Sequence, residues 1–161
     1  MLQRIFFKAP MFLMGALMLA GIALISAAVV SRYVFGKAIF WAEEVLVFMN
    51  IWGVLLGLVA ITWRGEHLNM DLFSSRLSGL PRRVLNGATI LVLVLCCGFV
   101  AAQSWKIVSL FAQGGQVSVG AGIPKAIPHA ALVAGFGLAA LAGLLRLRAY
   151  VKGQFGSGDG A

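Results

Sequence analysis

The chain has 161 residues, 61% of them hydrophobic and 11% charged, with 13 Lys and Arg against 5 Asp and Glu for a net charge of +8. A soluble domain of this size carries about a quarter charged residues, so the composition excludes one. The positive balance does not point to nucleic acid either, because no stretch joins clustered basic residues to a polar fold.

Four apolar runs reach the roughly 20 residues that a helix needs to cross a hydrocarbon core ~30 Å thick. They lie at about residues 11–31, 43–63, 83–105 and 126–146. Lipid offers the backbone no hydrogen bonds, so each run must be a helix that satisfies its own amides. None alternates apolar with polar residues as a barrel strand does. The expected fold is all-α integral membrane, a single domain of four transmembrane helices.

The first run follows Arg4 and Lys8 and ends at Ser31-Arg32-Tyr33, a cation and an aromatic suited to a membrane interface. Its basic start and Ser26-Ala27-Ala28 look like a secretory leader. A cleavable leader has an apolar stretch of only ~7–15 residues, so the run reads as a retained helix. Residues 34–41 form a turn or interfacial segment. The second helix opens on Trp41-Ala42-Glu43-Glu44, placing two acids at the positive end of its dipole. Asn50 and Thr62 within it read as helix–helix hydrogen-bonding residues.

Between the second and third spans, Met70, Phe73, Leu77 and Leu80 form a helical stripe set largely away from Asp71, Ser74, Ser75 and Ser78. This predicts an amphipathic segment over about residues 66–80, lying on the inner leaflet. Glu66, His67, Asp71, Phe73 and Arg76, with Arg82 and Arg83, are its expected anchors against phospholipid. Gly79 and Pro81 stop the segment and start the third span. Cys96 and Cys97 sit mid-span as packing residues. The 106–125 loop is rich in glycine, and Pro128 falls in the first turn of the fourth helix, where its missing N–H costs nothing. The tail at about 153–161 is expected to be disordered.

Charge placement gives the orientation. With the N-terminus in the cytoplasm, nine basic residues lie inside: Arg4, Lys8, Arg64, Arg76, Arg82, Arg83, Arg146, Arg148 and Lys152. Four lie outside: Arg32, Lys37, Lys106 and Lys125. Basic residues near span ends prefer the cytoplasmic side, so both termini are expected to be cytoplasmic.

Candidate working surfaces follow. Ala131, Gly135, Ala139 and Gly143 recur every four residues, Gly53 and Gly57 add to the second span beside Trp52, and Gly98 and Ala102 to the third. Small residues let another backbone approach closely. Some of these contacts must be internal to the bundle, but so much small-residue surface implies a further membrane subunit. Glu43 and Glu44 read either as an interfacial anchor paired with Arg32 or Lys37, or as a contact for a partner. His67 and His129 lie on opposite sides of the membrane, so zinc is not expected. No phosphate-binding loop, nucleophile elbow or haem-attachment motif occurs; no enzyme is expected, and no cofactor in this chain. Three rivals stand beside a scaffold role. A proton-coupled four-helix exporter needs a mid-membrane carboxylate, and a membrane thiol oxidase needs cysteines in the outer loops. The third is a membrane-complex assembly protein.

Together, Arg32-Tyr33-Val34-Phe35-Gly36, Trp41-Ala42-Glu43-Glu44, Trp52, Gly57, Gly65-Glu66-His67, Asp71, and the later Ser118, Ile123-Pro124 and Pro128 resemble the DctQ-type small permease subunit of tripartite ATP-independent periplasmic (TRAP) transporters. Gly36 departs from the pattern, where the family often has Asn. The resemblance implies a bacterial inner-membrane complex that imports an organic acid by sodium symport. A periplasmic substrate-binding receptor and a large permease subunit would be its partners, with sodium and substrate held by the large subunit. It further implies that Arg32, Tyr33, Lys37, Trp41, Glu43, Glu44 and Lys125 face the receptor. Trp52, Gly53, Gly57 and the 131–143 stripe would pack on the large subunit.

Overall fold

The computed structural model describes residues 3–65 and 80–152. A π-helical turn, Arg4–Lys8, runs without a break into α1, Ala9–Val34. Then come α2 (Ala42–Arg64), α3 (Leu80–Gly114), α4 (Ala126–Leu145) and a short α5 (Leu147–Lys152). Among the described residues, four helices are long and apolar enough to cross a membrane: Arg4–Val34, Ala42–Arg64, Leu80–Gly114 and Ala126–Leu145. The expected amphipathic segment, with Glu66, His67, Asp71, Phe73 and Arg76, lies outside the described residues except for Leu80, as does the 153–161 tail.

The helices stand in a row whose spatial order differs from the chain order. α4 packs along α3 on one side and along α2 on the other, α1 flanks α2, and α5 folds back on α3. The outside of the row is apolar: Phe12 is 76% exposed and Leu19 71%. In water such a surface would be untenable, whereas lipid solvates it without cost.

Close helix approach needs notches, and glycines supply them at each seam. A Cβ on Gly135 of α4 would lie 2.6 Å from the Cβ of Leu55 on α2. One on Gly143 would meet Val94 of α3 at 3.1 Å and Ile90 at 3.2 Å. On the α1–α2 seam, a Cβ on Gly57 would lie 3.0 Å from the Met14 sulfur and one on Gly21 2.9 Å from Leu46 Cδ1. Ala131, Ala139 and Ala142 are fully buried between these seams. The Ala131, Gly135, Ala139 and Gly143 stripe is therefore spent inside the chain. Leu55 occupies the notch at Gly135, and Ile90 and Val94 occupy the notch at Gly143. Gly57 is likewise occupied, by Met14. By contrast, Gly98 and Ala102 of α3 are exposed, and a Cβ on Gly98 meets open space.

Helix ends are locally specified. Gly65 caps α2 with φ +74°, and its N–H donates to the carbonyls of Ile61 (3.0 Å) and Thr62 (3.3 Å). This left-handed cap satisfies carbonyls that the helix itself leaves open. After α1, Gly36 takes φ +66°, a conformation that a β-carbon disfavours. The chain then reverses between Ser31 and Lys37: the Lys37 N–H donates to the Ser31 carbonyl (3.0 Å) and the Ser31 hydroxyl to the Lys37 carbonyl (2.7 Å).

Candidate docking surfaces

One end of the row gathers the close of α1, the start of α2 and the α3–α4 connection. Glu44, in the first turn of α2, is its organising group. Its Oε2 accepts the Gly120 N–H at 2.9 Å and the Ala121 N–H at 2.8 Å. Hydrogen bonds to an ionised acceptor are about twice as strong as neutral ones. The segment it grips is a small hairpin, with Ser118 N–H donating to Ile123 O at 2.8 Å and Lys125 N–H to Gln116 O at 3.0 Å. The buried Ser118 hydroxyl also accepts the Ile123 N–H at 3.2 Å. A Cβ at Gly120 would fall 2.8 Å from Glu44 Oε2, so a side chain there would push the carboxylate out of its place.

Around this clamp lie the residues expected to face a receptor. Arg32 Nη2 is 3.8 Å from Glu43 Oε1, with the two side chains 54% and 74% exposed. So open a pair contributes at most about 1 kcal/mol. Tyr33, Lys37 and Trp41 are exposed, and Lys125 is half-buried. The Lys125 carbonyl lies 2.8 Å from His129 Nδ1, and the His129 ring meets Phe111 edge-on at 4.8 Å. The structure thus brings all seven residues to one end and gives Glu43 and Glu44 different work. Glu43 pairs with Arg32 as one sequence reading had it, while Glu44 ties the chain to itself. Replacing Glu44 with alanine should speed hydrogen exchange of the Gly120 and Ala121 amides about tenfold or more. That corresponds to the roughly 1.5–3 kcal/mol of one charged hydrogen bond. Glu43→Ala should leave those amides unchanged, and equal exchange in both variants would refute the clamp.

The opposite end is built on Trp63. Phe6 stacks on its ring with centroids 4.9 Å apart and an interplanar angle of 8°. Arg146, just past α4, sets its guanidinium over the same ring at 4.9 Å and donates from Nη1 to the Trp63 carbonyl at 2.6 Å. Arg64 lies over Phe7 at 4.7 Å. Three chain segments distant in sequence are thus stapled around one indole. Neither the hairpin clamp nor this staple was foreseen from the sequence; the signal for the staple was an aromatic and an arginine at matching depth near two span ends. Arg82 and Arg83 are exposed at the start of α3.

Between the two ends, α2 and α4 border a shallow groove of about 490 Å³ lined by Val47, Asn50, Ile51, Val54, Leu55, Leu132 and Phe136. Trp52 is half-buried and Gly53 buried, yet a Cβ on Gly53 would meet nothing within 4 Å. Among the described residues no three His, Cys, Asp or Glu side chains come together as a metal site. What the residues define is a multi-pass helical membrane protein whose polar side chains mostly fasten its own ends.

Comparison with known proteins supplies the family. The model of the DctQ component of tripartite ATP-independent periplasmic transporters matches residues 21–153. The chain belongs to this family, whose members are transporter subunits. Among individual proteins, it is similar to a protein of Haemophilus influenzae named as a TRAP transporter small permease protein, at 27% identity over 77 residues. That match covers 48% of this chain and 48% of the relative, so the aligned part spans about half the relative's length.

Proposed function

We propose that the chain is the small, stationary membrane subunit of a TRAP transporter in the bacterial inner membrane. It works with a large permease subunit and a periplasmic receptor to import an organic acid. Sodium and substrate sites belong to the large subunit, and the Glu44 end faces the periplasm with both termini in the cytoplasm.

One observation carries this reading. The two acidic side chains of the described spans, Glu43 and Glu44, both lie in the first turn of α2, one pairing with Arg32 and the other holding the hairpin. Transport sites in secondary carriers are formed near mid-membrane by interrupted helices with convergent polar groups. Among the described residues the four long helices run uninterrupted, and small-residue seams bind them into one unit. Such a body supplies support rather than passage. An exporter coupled to protons would need a carboxylate at mid-membrane depth, where charged side chains mark ion paths.

Reconstitution tests the reading directly. The chain alone in liposomes should show no sodium-driven uptake, and uptake should appear when the large subunit and the receptor are added. Uptake by the chain alone would overturn the proposal. The Arg32 and Lys37 side chains, exposed at the Glu44 end, are proposed receptor contacts. Double replacement with Gln should lower receptor-dependent uptake several-fold at ~0.15 M salt, with a smaller difference as salt is raised. Unchanged uptake removes both from the docking surface.

A further inference from the structure

The small-residue stripe of α4 being used internally, the large subunit must approach elsewhere, and Asn50 marks where. It lies eight residues into α2 from Ala42, about 12 Å along the axis at 1.5 Å per residue. That places it well inside the hydrocarbon region. It is exposed and makes no hydrogen bond to another side chain or loop among the described residues. Thr62 on the same helix avoids this predicament by donating to the Leu58 carbonyl at 2.8 Å; Asn50, with two donors and an acceptor, has no such outlet. A carboxamide facing lipid leaves those groups unmet, and hydrocarbon cannot supply them.

The surroundings of Asn50 have the shape of a seat. Val47, Ile51 and Val54 of α2 with Leu132 and Phe136 of α4 wall the groove. Val47 is 53% exposed and Val54 71%. Next to Asn50, the Gly53 position has open space where a side chain would stand. An apolar trough with one unmet amide fits a transmembrane helix that is apolar along most of its contact and carries one hydrogen-bonding group opposite Asn50. Lipid tails match the trough but not the amide.

We infer that the α2–α4 groove receives a transmembrane helix of the large permease subunit, with Asn50 hydrogen-bonding to a polar group on that helix. The inference rests on the function proposed above and specifies where the two subunits meet. The competing face is the exposed Gly98 and Ala102 side of α3, which offers close approach and, beside it, the exposed carboxamide of Gln103, set toward the Gly114 end of the helix rather than in a groove.

The test uses the complex in its own membranes. A photo-reactive phenylalanine analogue is placed at Val54 in the groove, and separately at Leu95 on α3. Irradiation should join the Val54 probe to the large subunit. Asn50→Leu should reduce the large subunit co-purified in mild detergent by roughly three- to twentyfold, the range expected for an interhelical polar contact, and Asn50→Gln should restore part of it. A complex that co-purifies intact but crosslinks only from Leu95, or whose Val54 probe reaches only lipid or a second copy of this chain, overturns the groove while leaving the proposed function standing. Undiminished co-purification of Asn50→Leu overturns the polar contact. If the unmodified chain brings down no large subunit at all, the proposed function and the groove fall together.

Discussion

Gly135→Leu is expected to unfold or splay the bundle itself, in isolation from any partner. Even the first carbon of a side chain at this position would stand 2.6 Å from the Leu55 Cβ, well inside contact distance, and both atoms are fixed to helix backbones. Overpacking a core typically costs 1–3 kcal/mol when neighbours can move aside. Here they cannot, so about 3 kcal/mol or more is expected. The control is Gly98→Leu, since a β-carbon there meets open space; a change of at most about 0.5 kcal/mol is expected for such a surface site. Thermal unfolding of the purified chain in detergent, followed by near-ultraviolet circular dichroism, separates the two. Equal melting of both variants would mean that the α2–α4 seam is not where the structure has it.

Trp63→Ala should come close in effect. Trp63 is 8% exposed and receives Phe6 on its ring, Arg146 over its ring and an Arg146 N–H on its carbonyl. Truncating a buried tryptophan to alanine costs about 3–5 kcal/mol, and here it also removes the surface that holds the arginine. Trp63→Phe keeps an aromatic face and should retain most of the stability. Arg146→Lys should recover little, because an ammonium neither stacks flat nor shares the planar fork of a guanidinium. Near-ultraviolet signal from the remaining tryptophans, with the same melting assay, reads the outcome. A Trp63→Ala chain as stable as the parent would show that the staple contributes nothing.

Which parts were legible in the sequence follows from where physical constraint is local. The four long helices could be read because the bilayer fixes a minimum apolar length and forbids unpaired amides; no packing detail is needed for that. The hairpin fastened by Glu44 could not, since its partners are main-chain amides 76 and 77 residues away. Backbone N–H groups are the same at every residue, so nothing in the spelling announces them. The 131–143 stripe shows a different limit. Spacing revealed correctly that something comes close to α4, but a notch does not name its occupant, and Leu55 turned out to belong to the same chain. Arg146 was read only as one of the charges that set orientation, because charge counting treats every basic residue near a span end alike. Its stacking on Trp63 depends on how α4 sits beside α2, which no window of sequence contains.

The row order α1, α2, α4, α3 has a consequence for biogenesis. Segments leave the ribosome in numerical order, so α1 and α2 can pair as soon as both are inserted. α3, however, packs chiefly on α4 and α5, which are made later. For the duration of that synthesis α3 stands in the bilayer without its main partners among the described elements. Assembly of the native molecule therefore waits on the last span. A chain released before Ala126 would leave an unattached α3 exposed to membrane quality-control proteases.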